Sequence, residues 1–246
     1  PELQVYNLPL QFRNFEEVEY VRKRMDPMII EGLNEGGIVS FHLIETGFAY
    51  ILSKDPVRSV EDLDKVKAWV PEGDPVSADM VQAFGLSPIP LQITDVLAGL
   101  QTGLIDAVAV PPIVALTLQW HNHVNYITDL PIMYIYSMLA LDKGAFNSIS
   151  EADQAIVYEV MNRVFEEVDD NNREGNIEAY QALLNQGIKE VKPSAEDLPA
   201  WNSRIQRSIT YLIENDKLSP RAINLFTDYL AEARRENSDE ASGVSD

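Results

Sequence analysis

Between Lys65 and Pro111, three short apolar runs, Ala68-Trp69-Val70, Ile89-Pro90-Leu91 and Ala107 to Val110, alternate with two stretches of helical periodicity. This pattern predicts parallel strands joined by crossover helices. In such sheets a ligand settles beyond the carboxyl ends of the strands, here Trp69-Val70-Pro71 and Val110-Pro111. Asp74 followed by Pro75 reads as a helix start and Gly85 as its stop. Glu72 and Asp74 flank that start with no Lys or Arg beside them, so they offset its positive end and disfavour an anionic ligand.

The same reading extends in both directions. Asn14 with Glu17 predicts a capped helix bearing Phe15, Val18, Val21 and Met25 on one face, and Asp26-Pro27 predicts a second helix ending at Gly36-Gly37. Strands are expected at Ile38 to Ile44 and Phe48 to Leu52, followed by a short helix capped by Ser59 with Asp62 at its third position. Thr94 is expected to cap a helix from Asp95 to Gln101, and Pro111-Pro112 to open the next, through Ile113, Leu116 and Trp120. Val124 to Thr128 reads as a strand, and so does Ile132 to Met138, with Tyr134, Tyr136 and Met138 on one face. From Ser150 and Asp153 a long helix runs towards Leu184, ending at Gly187. Its polar centre, Glu166 to Asn172, suits a helix that spans two lobes with one side in water. A last strand at Ile188 to Val191 and helices from Ser194 and Ser219-Pro220 follow, and residues 236–246 read as a disordered tail.

Composition narrows the function classes. The chain has 246 residues and is 46% hydrophobic, enough for a sizeable core. Thirty-nine acidic against nineteen basic residues, net charge −20, argue against nucleic acid as a partner. The absence of cysteine excludes disulfides and thiol chemistry. No apolar run has the length of a membrane-spanning helix.

Catalytic and metal signals are weak. His121 and His123 diverge on either a strand or a helix, and with His42 they complete the histidine inventory, so no metal site is expected. Neither G-x-S-x-G nor a phosphate-binding glycine loop occurs. Glu72 and Asp74 could form an acid–base pair in a cleft hydrolase, but capping is the plainer role for Asp74. No cofactor is expected.

The segments AWVPE, FGLSPIPL and DVLAGLQTGLIDAVAVP, preceded by PVRSVEDLDKVK and, further upstream, LPLQFRN, resemble the solute-binding proteins of TRAP transporters, the DctP-like family 7 of periplasmic receptors. The similarity is best from Pro56 to Asp129, fair over residues 8–53 and the helices after Ser150, and absent in the tail. It implies a two-lobed α/β periplasmic-binding fold, type II-like, with long C-terminal helices. Relative to the family the chain begins late, so its first lobe and any signal peptide are expected to be incomplete or absent. Residues 1–44 and 132–165 would form lobe I, residues 46–131 lobe II, and residues 166–235 helices packing on both.

In the family register, Trp69 and Ala49 stand where arginines usually hold a ligand carboxylate, and Val110 stands where asparagine is usual. Loss of the guanidinium removes the main charge-assisted contact. The resemblance then implies an extracytoplasmic receptor, not an enzyme, that binds a hydrophobic or uncharged solute and delivers it to the TRAP permease subunits, with a helical-repeat periplasmic protein as a further partner. The expected ligand-binding residues are Trp69, Ala49, Val110, Pro111, Glu72, Tyr134 and Tyr136, the two tyrosines because their strand crosses between the lobes. Trp69, Glu72, Asp74 and the tyrosines leave a second ligand class open, a quaternary ammonium or another cation, and an organic acid held by displaced anchor residues is a third.

Overall fold

The computed structural model describes residues 2–243. A 3-10 turn at Glu2–Asn7 precedes α1 (Phe15–Glu35), β1 (Ile38–Val39), β2 (Ile44–Ser53), α2 (Val60–Leu63), β3 (Trp69–Pro71), α3 (Pro75–Ala83) and β4 (Ile89–Leu91). There follow α4 (Val96–Thr102), β5 (Ala107–Val110), α5 (Pro112–Thr117), β6 (Tyr126–Thr128), β7 (Met133–Ser137), β8 (Leu141–Asp142), α6 (Lys143–Phe146), α7 (Glu151–Asn185), β9 (Lys189–Val191), α8 (Leu198–Glu214) and α9 (Pro220–Gly243). This is an α/β fold with open sheets and long C-terminal helices.

The ten-residue strand β2 organises the chain. Its first half pairs antiparallel with β7, Phe48 opposite Tyr134, and its second half pairs with β5, Tyr50 opposite Val110, and with β6. β6 continues in parallel to β9. The expected parallel unit is present: β3 and β4 pair with Trp69 opposite Ile89, and Ala68 bridges Ala107 in parallel. One apolar cluster, with Val21, Met25, Leu43, Phe48, Tyr134 and Phe226 among its members, lies on the α1, β7 and α9 side. A second, including Leu52, Leu100, Val108, Trp120, Ile127 and Leu183, fills the space between the β5–β2–β6 sheet and α4.

Several local expectations hold because their capping chemistry is strong. Asn14 accepts from Glu17 N–H at 2.9 Å, Ser59 from Asp62 N–H at 3.1 Å, and Ser150 from Asp153 N–H at 3.2 Å. Others are corrected. Asp26-Pro27 does not restart a helix: α1 runs unbroken through Pro27, and the Asp26 carboxylate is bound by Tyr6 and Arg22 side chains rather than serving as a cap. The strand expected at Ile38 to Ile44 is limited to Ile38–Val39, and Ile44 instead begins β2; between them Leu43 O is taken by the Arg22 guanidinium. Thr94 lies within a 3-10 turn, Ile93–Asp95, and α4 starts at Val96 without a side-chain cap. Ser194 binds Glu196 N–H at 3.3 Å in a turn, and α8 starts later, at Leu198. The helix α9 carries the backbone through Gly243, where a disordered tail from residue 236 was expected; its upstream apolar face, Ala222, Phe226, Leu230 and Ala233, is buried and anchors it. Residues 244–246 lie outside the described residues.

Candidate functional site

The carboxyl ends of β3, β4 and β5 form one edge of the structure. At β3, Leu91 O of the neighbouring strand accepts two donors, Glu72 N–H and Trp69 Nε1–H, each at 3.0 Å. The Trp69 ring stands edge-on to the buried Trp120, centroids 5.4 Å apart at 77°. Both the polar and the apolar parts of this side chain are therefore engaged by the lobe that carries it. Glu72 is exposed. Asp74 Oδ1 accepts from Val76 N–H and Ser77 N–H, both at 3.1 Å, and Oδ2 from Ser77 Oγ at 2.5 Å. The start of α3 is thus satisfied from within, as its Asp-Pro sequence dictates.

The other expected residues lie elsewhere. Val110 and Pro111 are buried at the β5–α5 junction, and Ala49 is wholly buried opposite Met133. Tyr134 is buried, its hydroxyl donating to Glu45 Oε2 at 3.1 Å and accepting from Arg22 Nη1 at 2.9 Å. Burial raises its phenol well above the usual value. Tyr136 packs edge-on against Tyr6 at 5.3 Å, and burial raises its phenol too. The seven residues do not line one cavity. Trp69 and Glu72 share the strand edge with Val110 and Pro111 behind it, whereas Tyr134 and Tyr136 belong to the opposite side of β2.

Sequence reasoning missed a charged cluster where β2, α1 and α7 meet. A bulge at Glu45/Gly47 interrupts β2, and Glu45 is fully buried there. Asp169 Oδ1 accepts from Glu45 N–H at 2.5 Å, Asn172 donates to Glu45 O at 2.7 Å, Arg173 binds both Glu45 oxygens, and Asn176 donates to Thr46 O at 2.8 Å. Asp169 also meets Arg22 at 3.3 Å and His42 at 2.7 Å. The polar centre of α7 thus turns this stripe inward, while Glu166, Glu167, Asp170 and Asn171 on its other side are exposed, in keeping with the expectation that one side of the helix faces water. The signal was the spacing itself: residues 169, 172, 173 and 176 follow the i, i+3, i+4, i+7 rule of a buried face, but with polar side chains.

This cluster forms one wall of a groove of about 910 Å³ between α1 and α7. Its arginines are already engaged: buried Arg22 is held by Asp26, Asp169, Tyr134 and Leu43 O, and half-buried Arg173 by Glu45 and Glu19. The histidines are likewise engaged, His121 with Ala115 O at 3.1 Å and His123 with Gln101 at 3.3 Å. No group of three or more potential metal ligands occurs among the described residues, and no helix among them is long and apolar enough to cross a membrane.

Comparison with known proteins places this geometry. Residues 1–216 match the family model for bacterial extracellular solute-binding proteins, family 7 (DctP). The chain is 26% identical over 165 residues to the ectoine/5-hydroxyectoine-binding periplasmic protein UehA of Ruegeria pomeroyi, covering 64% of this chain and 47% of that protein. It is 22% identical over 202 residues to the C4-dicarboxylate-binding periplasmic protein DctP of Rhodobacter capsulatus, covering 81% of this chain and 60% of that one. It therefore spans about half to three-fifths of the length of these relatives. Among solved structures, the ectoine-binding protein of the TeaABC TRAP transporter of Halomonas elongata superposes with a TM-score of 0.83 at 18% identity, over 96% of this chain and 75% of that one. A TRAP solute-binding protein of Desulfovibrio salexigens with bound orotic acid gives 0.82 at 15%, over 94% and 75%. These relatives are periplasmic binding proteins, not catalysts. With the open α/β sheets, the parallel β3–β4 unit and the family match over most of its length, the chain belongs to the family 7 bacterial extracellular solute-binding proteins.

Proposed function

We propose that this chain acts in a periplasmic TRAP-type receptor that captures a small zwitterionic solute at the β3–β4–β5 edge and passes it to the membrane permease. Residues 1–44 and 132–165 would act as one lobe and residues 46–131 as the other, with β2, β7 and α7 as the hinge about which they close. Among the relatives, two are ectoine-binding proteins, one binds C4-dicarboxylates, and one 2,3-diketo-L-gulonate. A compact charged solute is the common theme.

The observation that carries the choice of a zwitterion is the charge of the edge. Residues 69–74, 91–95 and 110–112 contain Glu72, Asp74 and Asp95 and no basic residue, so the side chains here suit a cationic group. A dianion would be repelled by Glu72 and Asp95 and find no basic side chain in these segments. Glu72 is the residue we assign to that group, with Trp69, Val110 and Pro111 shaping the floor behind it. Isothermal titration of the full-length receptor with ectoine, galacturonate and succinate tests this: the zwitterion should bind tightest, and equal or tighter succinate binding overturns it.

A second reading, a hydrophobic or uncharged solute, draws support from an apolar cavity of about 100 Å³ bordered by Trp69, Leu10, Met133 and Trp201. The Trp201 Nε1–H, buried beside it, has no hydrogen-bond partner among the described residues. Native mass spectrometry of freshly purified receptor distinguishes the two, since a retained neutral ligand would favour this reading. The helical-repeat partner rests on the resemblance alone.

A further inference from the structure

A separate pocket of about 220 Å³ lies where both halves of β2 meet α7, and its lining shares no residue with the candidate set described above. Two pairs of rings line it. Phe15 of α1 and Phe48 of β2 are 4.9 Å apart, and Tyr50 of β2 and Tyr180 of α7 are 5.2 Å apart at 64°. Asp129, just beyond β6, completes the wall. Burial is the main cause that raises both tyrosine phenols; at Tyr180 the hydroxyl also donates to Glu190 Oε2 at 2.9 Å, and the Asp129 charge adds to the rise at both.

Four aromatic rings around one carboxylate are the elements of a cation cage, in which ring quadrupoles and a single negative charge attract an ammonium group whose methyls fill the apolar walls. One of these rings already carries a cation from the neighbouring groove: the Arg173 guanidinium, outside this pocket, lies 4.5 Å from the Phe15 ring centroid, its own charge matched by Glu45 and Glu19. Among the described residues the ion-pair partner of Asp129 is Lys192, at 3.3 Å, whose side chain is 72% exposed and readily displaced. An anion would be repelled by Asp129, and an uncharged solute would gain nothing from it.

We propose that this pocket is a second, cation-selective site, taking a methylated or primary ammonium group. Phe15 and Phe48 come from the β7 side of the fold, Tyr50 and Asp129 from the β5–β6 side, and Tyr180 from the helix that ties them. An occupant therefore holds the two halves in a fixed relation and biases hinge closure.

Titration of the chain with tetramethylammonium chloride, followed by the ring protons of Tyr50 and Tyr180 in NMR, tests the assignment, with tert-butanol and matched sodium chloride as controls. Saturable shifts at both tyrosines with tetramethylammonium, and none with either control, are expected. Asp129→Asn should weaken binding about tenfold, Tyr180→Leu should abolish it, and Tyr180→Phe, which keeps the ring, should retain it. Equal shifts from tert-butanol, undiminished binding by Asp129→Asn, or a response confined to the Trp69 indole would each overturn the proposal. The last outcome would assign the cation to the strand edge instead, so the two sites are read separately.

Discussion

Glu45 of β2 and Arg173 of α7 form a two-pronged ion pair, Nε to Oε1 at 3.1 Å and Nη2 to Oε2 at 2.9 Å, with the carboxylate wholly withdrawn from solvent. The bond to Glu45 is the main cause that raises the Arg173 guanidinium further above its ordinary value. Because the carboxylate sits at a bulge in β2, the strand that pairs with β5, β6 and β7, the pair fixes the long helix to the centre of that sheet.

Removing one partner leaves a buried charge without compensation. Arg173→Met should therefore destabilise the chain by about 3 kcal/mol, the lower end of the range for such pairs because Arg173 is partly exposed. The double variant Glu45→Met/Arg173→Met should recover much of that loss. Urea unfolding of the wild type, both single variants and the double variant gives the coupling; additive losses would mean that the pair contributes nothing as a pair.

Gly47 makes the close approach of β2 and α7 possible. Its φ of +114° is costly for any residue with a Cβ, and a Cβ there would lie 2.6 Å from Asn176 Nδ2. Asn176 would have to withdraw from Thr46 O and Ile113 N–H, which it now binds at 2.8 and 3.3 Å. Gly47→Ala should cost about 3 kcal/mol, combining backbone strain with lost hydrogen bonds. A thermal midpoint within a degree or two of wild type would contradict this reading.

Much of this architecture was legible in the sequence wherever local chemistry decides the outcome. The caps at Asn14, Ser59, Asp74 and Ser150 form because a side-chain acceptor stands before free N–H groups, whatever lies further away. The parallel β3–β4 pair followed from short apolar runs between helices. Features set by distant partners were not legible. Nothing local to Pro27 says that the helix continues through it, and nothing near Glu45 says that a residue more than a hundred positions later will hold its carboxylate. The same holds for Trp69: its position at a strand end was readable, whereas its engagement with Trp120 and Leu91 O depends on how the sheet packs on the segment after α5.

Trp69 ties β3 to β4 and to Trp120 through its indole. Trp69→Phe keeps a ring against Trp120 but loses the donor to Leu91 O, a change of about 1 kcal/mol. Trp69→Ala also removes the ring and should cost about 3 kcal/mol. Equilibrium unfolding of both variants should show this order, and near-wild-type stability of Trp69→Ala would mean that the indole is held for ligand contact alone.

Asp64 and Arg204 tie α8 to the end of α2 through bonds of 2.5 and 2.7 Å, and Arg204 also donates to Phe84 O at 3.1 Å where α3 stops. The bond from Arg204 holds the Asp64 carboxyl below its ordinary value of 3.8. A depressed carboxylate stabilises the fold above the unfolded-state value, and that contribution is lost as pH falls through the folded-state value. The Asp64 side chain is exposed and that of Arg204 half-buried, so the effect is small and weakened by salt. In Asp64→Asn, the thermal midpoint should lie below wild type at about pH 6 and converge with it towards about pH 2 as the wild-type carboxylate protonates. A gap that is the same at both ends of that range would show that the substitution acts through packing, not through the charge on Asp64.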